Sequence, residues 1–361
     1  PVALLYLFII IFYYFSFIYN GSSADSIFII IKLFLGYILF IMISSQILEY
    51  SSRDFIRSAV VCLSFISIIF YLQFFITALD QNKISMFSST MANRNLLASF
   101  IYLCFPFLID TIISDNKRWR TYAILIVLIT FPALVMTNSF AVFIATLIFS
   151  FVFIVILKGY YNRRNLLYFL SVFIMVAISI NTYFQKKDKF YNYNEKIVTF
   201  ISDKSSSRLA LYKSTFALIK DNFIFGVGPG NWKTRIQEYG LYKQDILDHT
   251  RYNGSSSPQR PHNDFLWVFS EAGFIAGISF LLLFLILIRD SYYSYLKEKK
   301  DPLNLLISAS LLGFLFISLV DFPLERVSHN IIFLLLIAVY ATNVLKKEKY
   351  SESLTPVWIP Y

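Results

Sequence analysis

A chain that must cross hydrocarbon has few backbone solutions, and this one repeatedly carries runs that need them. SIFIIIKLFLGYILFIMIS (26–44) and the stretch that closes on GISFLLLFLILI (277–288) are apolar almost throughout. A helix needs about 20 such residues to traverse a bilayer. In lipid every backbone N–H and C=O must be paired internally, which leaves a continuous apolar run little choice but a helix. Composition agrees: 57% of residues are hydrophobic and 15% charged, against about 25% charged in ordinary soluble domains. The runs predict spans at 2–19, 27–48, 57–79, 95–114, 121–137, 140–157, 166–184, 265–288, 303–320 and 328–345, so the expected fold is an all-α polytopic membrane protein with about ten transmembrane helices. The break between the fifth and sixth is so short that they must form a tight hairpin. Starting at Pro1, the chain leaves room for earlier spans, and its first apolar run lacks the basic leader of a removable signal peptide.

Charge orients the bundle. Turns after the even-numbered spans carry clusters such as Lys117, Arg118 and Arg120, or Arg289, Lys297, Lys299 and Lys300, whereas the opposite short turns hold only Lys83, Arg94 and Arg326. The positive-inside rule puts the first set in the cytoplasm and therefore the long segment after the seventh span outside. The expected organisation is a seven-span part (1–184), an outer loop (185–262), a three-span part of the same bundle (263–345) and a cytoplasmic tail (346–361). Segment 185–261 holds 13 Lys/Arg against 7 Asp/Glu, a surface that attracts anionic head groups, whether of a substrate or of bulk lipid. Cys62 and Cys104 fall inside spans and read as small buried hydrophobes. Scattered basic turns without zinc-finger or helix-turn-helix spacing exclude a nucleic-acid partner.

Within the loop, SSSRLALYKSTFALIKDNF places Leu209, Tyr212, Phe216, Ile219 and Phe223 at steps of three or four, an amphipathic helix with one apolar face, with Ser205 to Ser207 as candidate N-caps. Arg208 then stands at a helix start, where unpaired amides and a guanidinium fork together suit a phosphate; the plainer alternative is an arginine snorkelling to lipid. FGVGPGNW follows, and Gly226, Gly228 and Gly230 predict a tight turn or close backbone approach, without the context of a Walker or dinucleotide loop.

One of only three histidines sits in RPHNDFLWVFSEAGFIAG (260–277), where polar sequence turns apolar. Pro261 stops the loop, Asn263 or Asp264 caps the next span, and His262 is held at its outer mouth. A histidine there suits proton abstraction from a hydroxyl, or simply closes the turn onto a carbonyl. Glu271 should face the bundle interior, since facing lipid is costly, and Gly273 with Gly277 forms a small-x-x-x-small face. Arg94, between Asn93 and Asn95, and the turn DFPLERVSH (321–329) lie on the same side; His329 already begins an apolar run.

Taken in order, MANRNLLASF, SSSRLALYKSTFALIKDNFIFGVGPGNW, PHNDFLWVFSEAGFIAG and DFPLE resemble the motifs of the bacterial O-antigen ligase and polymerase superfamily, over much of residues 86–326. The resemblance implies an inner-membrane glycosyltransferase whose substrate is an undecaprenyl-diphosphate-linked glycan, with a large periplasmic loop and no cofactor or metal. It implies His262 as base or acceptor-positioning residue, Arg208 on the donor diphosphate, Arg94 as a further diphosphate candidate, and a second loop arginine among Arg235, Arg251 and Arg260, of which Arg260 is preferred for its closeness to His262. Asn263, Asp264, Glu271, Gly226, Gly228 and Gly230 would support them. Two departures stand out: NSFAV carries Phe140 where an arginine is expected, and GFIAG carries Ala276 at a position usually smaller.

The acceptor expected first is a lipid A-core hydroxyl, which makes the chain a ligase. A second lipid-linked glycan would make it a polymerase. Protein O-glycosylation and a non-enzymatic lipid-linked glycan transporter are the remaining readings. No sequence feature sets the oligomeric state.

Overall fold

The computed structural model describes residues 2–21, 23–78, 88–91, 93–137, 139–157, 205–239, 258–298 and 302–354. The regular elements among them are helical: α1 (Val2–Asn20), α2 (Ala24–Glu49), α3 (Arg53–Ala78), α4 (Arg94–Ser114), α5 (Lys117–Thr137), α6 (Phe140–Leu157), α7 (Ser205–Asp221), the one-turn α8 (Trp232–Arg235), α9 (Asp264–Glu298), α10 (Pro302–Val320) and α11 (Val327–Leu354). Seven are long and apolar enough to cross a membrane, and Phe140–Phe151 and Val327–Asn343 add shorter apolar stretches. Each expected span thus meets a helix except 166–184, which lies outside the described residues. The helix starts have local causes. Ser23 and Ser26 form a reciprocal capping box at α2, and the Asn93 side chain accepts the Asn95 amide at 2.8 Å to begin α4 at Arg94.

Lipid offers no hydrophobic drive between helices, so their contacts rest on close packing and hydrogen bonds. α1 lies along α9, α9 along α10, α10 against α6 and α4, and α2 against α11. Segments before and after the long loop therefore interleave in one bundle. Gly313 admits Tyr102, whose hydroxyl donates to the Ser310 carbonyl at 3.1 Å. Phe280, Phe284, Phe314 and Phe333 join α9, α10 and α11 through ring contacts of 5.2 to 6.3 Å. Buried hydroxyls turn inward on their own helices, as Thr111 does to Phe107 and Thr342 to Ala338. His329, fully buried, has Nε2 at 2.9 Å from both Ser99 Oγ and the Leu96 carbonyl, so it joins α11 to α4.

Two expectations change here. Cys62 is exposed on α3 while Cys104 is buried, because a helix against lipid has no need to turn every apolar side chain inward. Gly273 does not form a helix-packing stripe with Gly277. It breaks α9 with φ 81°, and beyond that break Gly277 is covered by the ring of Phe269 from its own helix.

At the end of the bundle remote from α7, Arg53 pairs with buried Asp110 at 2.6 Å, and Arg57 makes two bonds to Asp115, at 2.9 and 2.7 Å. The bonds from Arg57, ahead of the opposing effect of burial, hold the Asp115 carboxyl below its usual range. A lowered folded value means that the pair contributes in full above the unfolded value of about 3.9 and is lost as pH falls through the folded value. Asp115→Asn should therefore unfold at a lower temperature than the parent at pH 7. Melting curves from pH 7 to 3 should show that gap closing in the acid range; a constant gap would show that the charge does not matter.

Candidate active site

The last carbonyls of α10 have no partners within their own helix, and three side chains from elsewhere converge on them. Arg208 Nη1 donates to the Val320 carbonyl at 2.9 Å, while Asn263 Nδ2 and Tyr212 Oη donate to the Leu319 carbonyl at 2.9 and 3.3 Å. A cation at a helix C-terminus also complements the helix dipole. The start of α7, the end of α10 and the start of α9 are thereby tied into one corner.

His262 stands in that corner. Its φ is 54°, a left-handed conformation that histidine, asparagine and aspartate tolerate better than most residues. The turn is fixed on both sides. Tyr212 donates its hydroxyl to the His262 carbonyl at 2.9 Å, and the Asn263 side chain accepts the Leu266 amide at 2.9 Å, which makes Asn263 the cap of α9. Asp264 is then the first helical residue, buried, with one carboxylate oxygen 3.3 Å from the Leu324 amide. Burial pushes the Tyr212 phenol up, partly offset by Arg208, so it remains a donor.

The His262 ring is oriented by the turn after α10. Nδ1 is buried and lies 3.8 Å from Asp321 Oδ1, too far for a hydrogen bond but close enough for charge attraction. Phe322 meets the ring edge-on at 4.9 Å. The side chain is 40% exposed, so the Nε2 edge is the open one. This arrangement can take a proton at Nε2 while a carboxylate stabilises the resulting imidazolium.

α7 presents two apolar faces where one was expected. Leu211, Ser214, Thr215 and Leu218 are buried toward the bundle, and Leu211 and Leu218 cluster with Val227, Trp232 and Trp267. Leu209 and Phe216 are more than half exposed, on the stripe seven residues apart. A helix in the membrane interface faces protein on one side and acyl chains on another. Ser205 to Ser207 form its first turn and do not precede it.

The glycine segment closes against the break in α9. At the break Ser270 and Glu271 expose their carbonyls, which accept the amides of Val227 at 2.8 Å and Gly228 at 3.0 Å, while Phe274 donates to Phe223 at 2.9 Å. Gly226, Gly228 and Gly230 all have positive φ. A Cβ on Gly226 would lie 2.5 Å from the Glu271 carbonyl carbon, so only glycine allows the approach. Glu271 is buried as expected, facing the amides of Gly230 and Trp232 and the Trp267 side chain. Ala276 is fully buried, so the departure from glycine there is accommodated, and Phe140 opens α6 half exposed.

The three arginines separate. Arg208 belongs to the His262 corner. Arg260 turns away from it, pairing with Glu325 at 2.5 Å and lying 4.9 Å from the Trp267 ring centre. Arg94, at the start of α4, makes no hydrogen bond or ion pair among the described residues. Tyr212 and Asp321 are neighbours of His262 that the sequence reading did not single out as site candidates. Tyr212 looked like one more apolar-face residue, and Asp321 was legible only as part of a polar turn. The family model described as O-antigen ligase matches residues 124–281, a stretch that takes in Arg208, the glycine segment, His262 and Glu271. No curated protein matches the chain.

Proposed function

We propose, on the strength of the O-antigen ligase match at residues 124–281, that the chain is a member of the O-antigen ligase/polymerase superfamily and transfers a glycan from undecaprenyl diphosphate to a hydroxyl of lipid A-core at the periplasmic face of the inner membrane. The observation that carries the reading is His262, locked in a left-handed turn beside Arg208's helix, with Nδ1 toward Asp321 and its other edge open. The acceptor hydroxyl gives its proton to Nε2 as its oxygen bonds to the anomeric carbon. The bond from that carbon to the diphosphate breaks, and the lipid diphosphate leaves with the electron pair. Direct displacement inverts the anomeric configuration.

Arg208 holds the departing diphosphate, and the reaction as written is metal-independent; Arg260, turned away and paired with Glu325, and Arg94, at the start of α4, stand outside this corner. Most of the rate comes from charge stabilisation and alignment. Asp321 acts through His262 as a positioning residue. Asn263, Asp264 and Glu271 keep the turn and the glycine segment in register.

The test is transfer of labelled glycan from undecaprenyl diphosphate by the purified chain, with lipid A-core present or absent. Label on lipid A-core is the expected product. Longer lipid-linked glycan formed without that acceptor would make the chain a polymerase, and no new glycosidic bond with competent pairs would overturn the transferase reading.

A further inference from the structure

Two residues before His262 the chain borders a second recess. A cavity of about 230 Å3 is lined by Lys32, Lys233, Arg260 and Arg326, by the carboxylates of Asp25 and Glu325, and by apolar Phe28, Trp267 and Val327. Two of its cations are matched: Lys233 pairs with Asp25, and Arg260 with Glu325. The other two make no close ion pair among the described residues, although the Glu325 carboxylate also acts on Lys32 through space. Lys32 directs Nζ to the carbonyls of Glu325 at 3.2 Å and Leu324 at 3.5 Å, and Arg326 has no ion pair.

Lys32 stands two turns into an otherwise apolar helix, at a depth where an ionised side chain usually marks a polar path or site. The rim differs from the floor. Phe28 and Val327 are 59% and 51% exposed, and the exposed apolar surface continues along α2 through Ile31 and Leu35 and along α11 to Ile331. α2 and α11 pack against each other, and both carry this exposed apolar surface beside the recess. A free ion would not need such a rim. The volume is below the about 300–1,000 Å3 of ordinary small-molecule sites, enough for a head group and too little for a glycan.

We propose that this recess binds the phosphate head group of a membrane lipid, entering laterally between α2 and α11 with its chains along Phe28 and Val327. Lys32 and Arg326, the two cations without a close ion pair, meet the phosphate, and Arg260 and Lys233 complete the cationic wall. The site is independent of the transferase reading, since binding is expected whether or not glycan transfer is observed.

The test uses the full purified chain in a zwitterionic detergent and follows tryptophan fluorescence during titration with dioctanoyl phosphatidic acid. Dioctanoylglycerol supplies the chains without phosphate, and inorganic phosphate the anion without chains. A saturable change with phosphatidic acid is expected, absent in Trp267→Phe and weakened about tenfold or more in both Lys32→Gln and Arg326→Gln. Arg326→Gln removes no side-chain bond seen among the described residues, so it separates lost binding from a damaged fold. Equal response to dioctanoylglycerol, equal affinity for inorganic phosphate, unchanged binding in both glutamine variants, or a signal that survives in Trp267→Phe would each overturn the proposal.

Discussion

His262→Asn is expected to reduce glycan transfer by about 10²–10⁴-fold, the usual contribution of a positioned general base, while leaving the protein folded. Asparagine is the informative replacement because position 262 has φ 54°, a conformation it adopts readily. Alanine there adds backbone strain of about 1–3 kcal/mol and would mix lost chemistry with a loosened turn, since Tyr212 bonds to the backbone carbonyl of this residue. The companion variants should divide by kinetic constant. Asp321→Asn should lower kcat with the donor KM little changed, because the Asp321 carboxylate lies beside the histidine ring and its other bond, from the Phe322 amide, can be kept by an asparagine oxygen. Arg208→Ala should raise the donor KM as well. Initial rates over a range of donor concentrations, with melting curves for each variant, check this. Full transfer by a folded His262→Asn protein would remove His262 from the mechanism.

The second large effect falls on Gly273. Its φ of 81° disfavours any side chain, and an added Cβ would overlap the Ile224 carbonyl. That overlap pushes the glycine segment off the break in α9, where three backbone hydrogen bonds between 2.8 and 3.0 Å join them. Strain of about 1–3 kcal/mol and three bonds of about 0.5–1.5 kcal/mol each give an expected loss of about 3 kcal/mol or more for Gly273→Ala. Against a total stability of about 5–15 kcal/mol, that should appear as a marked fall in unfolding temperature and purified yield. Gly21 provides the control. It has the same φ of 81° but nothing within 4 Å of an added Cβ, so Gly21→Ala carries the strain without the overlap. Gly277→Ala should also be milder than Gly273→Ala, because what it meets is the Phe269 ring, which can turn, and not backbone. Equal losses for Gly21→Ala and Gly273→Ala would show that the packed glycine segment contributes nothing.

Chain order and local chemistry were enough to locate much of this protein. Apolar run length fixed helices at nearly all the expected spans, because lipid removes the alternatives to a helix. Arg208 at a helix start, the cap at Asn263, inward-facing Glu271 and the glycine turn were likewise legible, since each follows from residues within a few positions of one another. What sequence could not supply was any relation between distant segments. The buried face of α7 runs through Leu211, Thr215 and Leu218 and takes in Ile219 of the expected stripe, whose Leu209 and Phe216 stay exposed, because the bundle covers one side of the helix. Gly273 looked like a packing residue until the partner arriving at it proved to be the Ile224 backbone. Lys32, inside the apolar run 26–44, donates to carbonyls nearly 300 residues away. Periodicity and composition thus determined which segments are helices. Only tertiary structure decided that Asp321, Tyr212 and Arg208 meet His262 around the end of α10, because those contacts join segments whose separation no local pattern encodes.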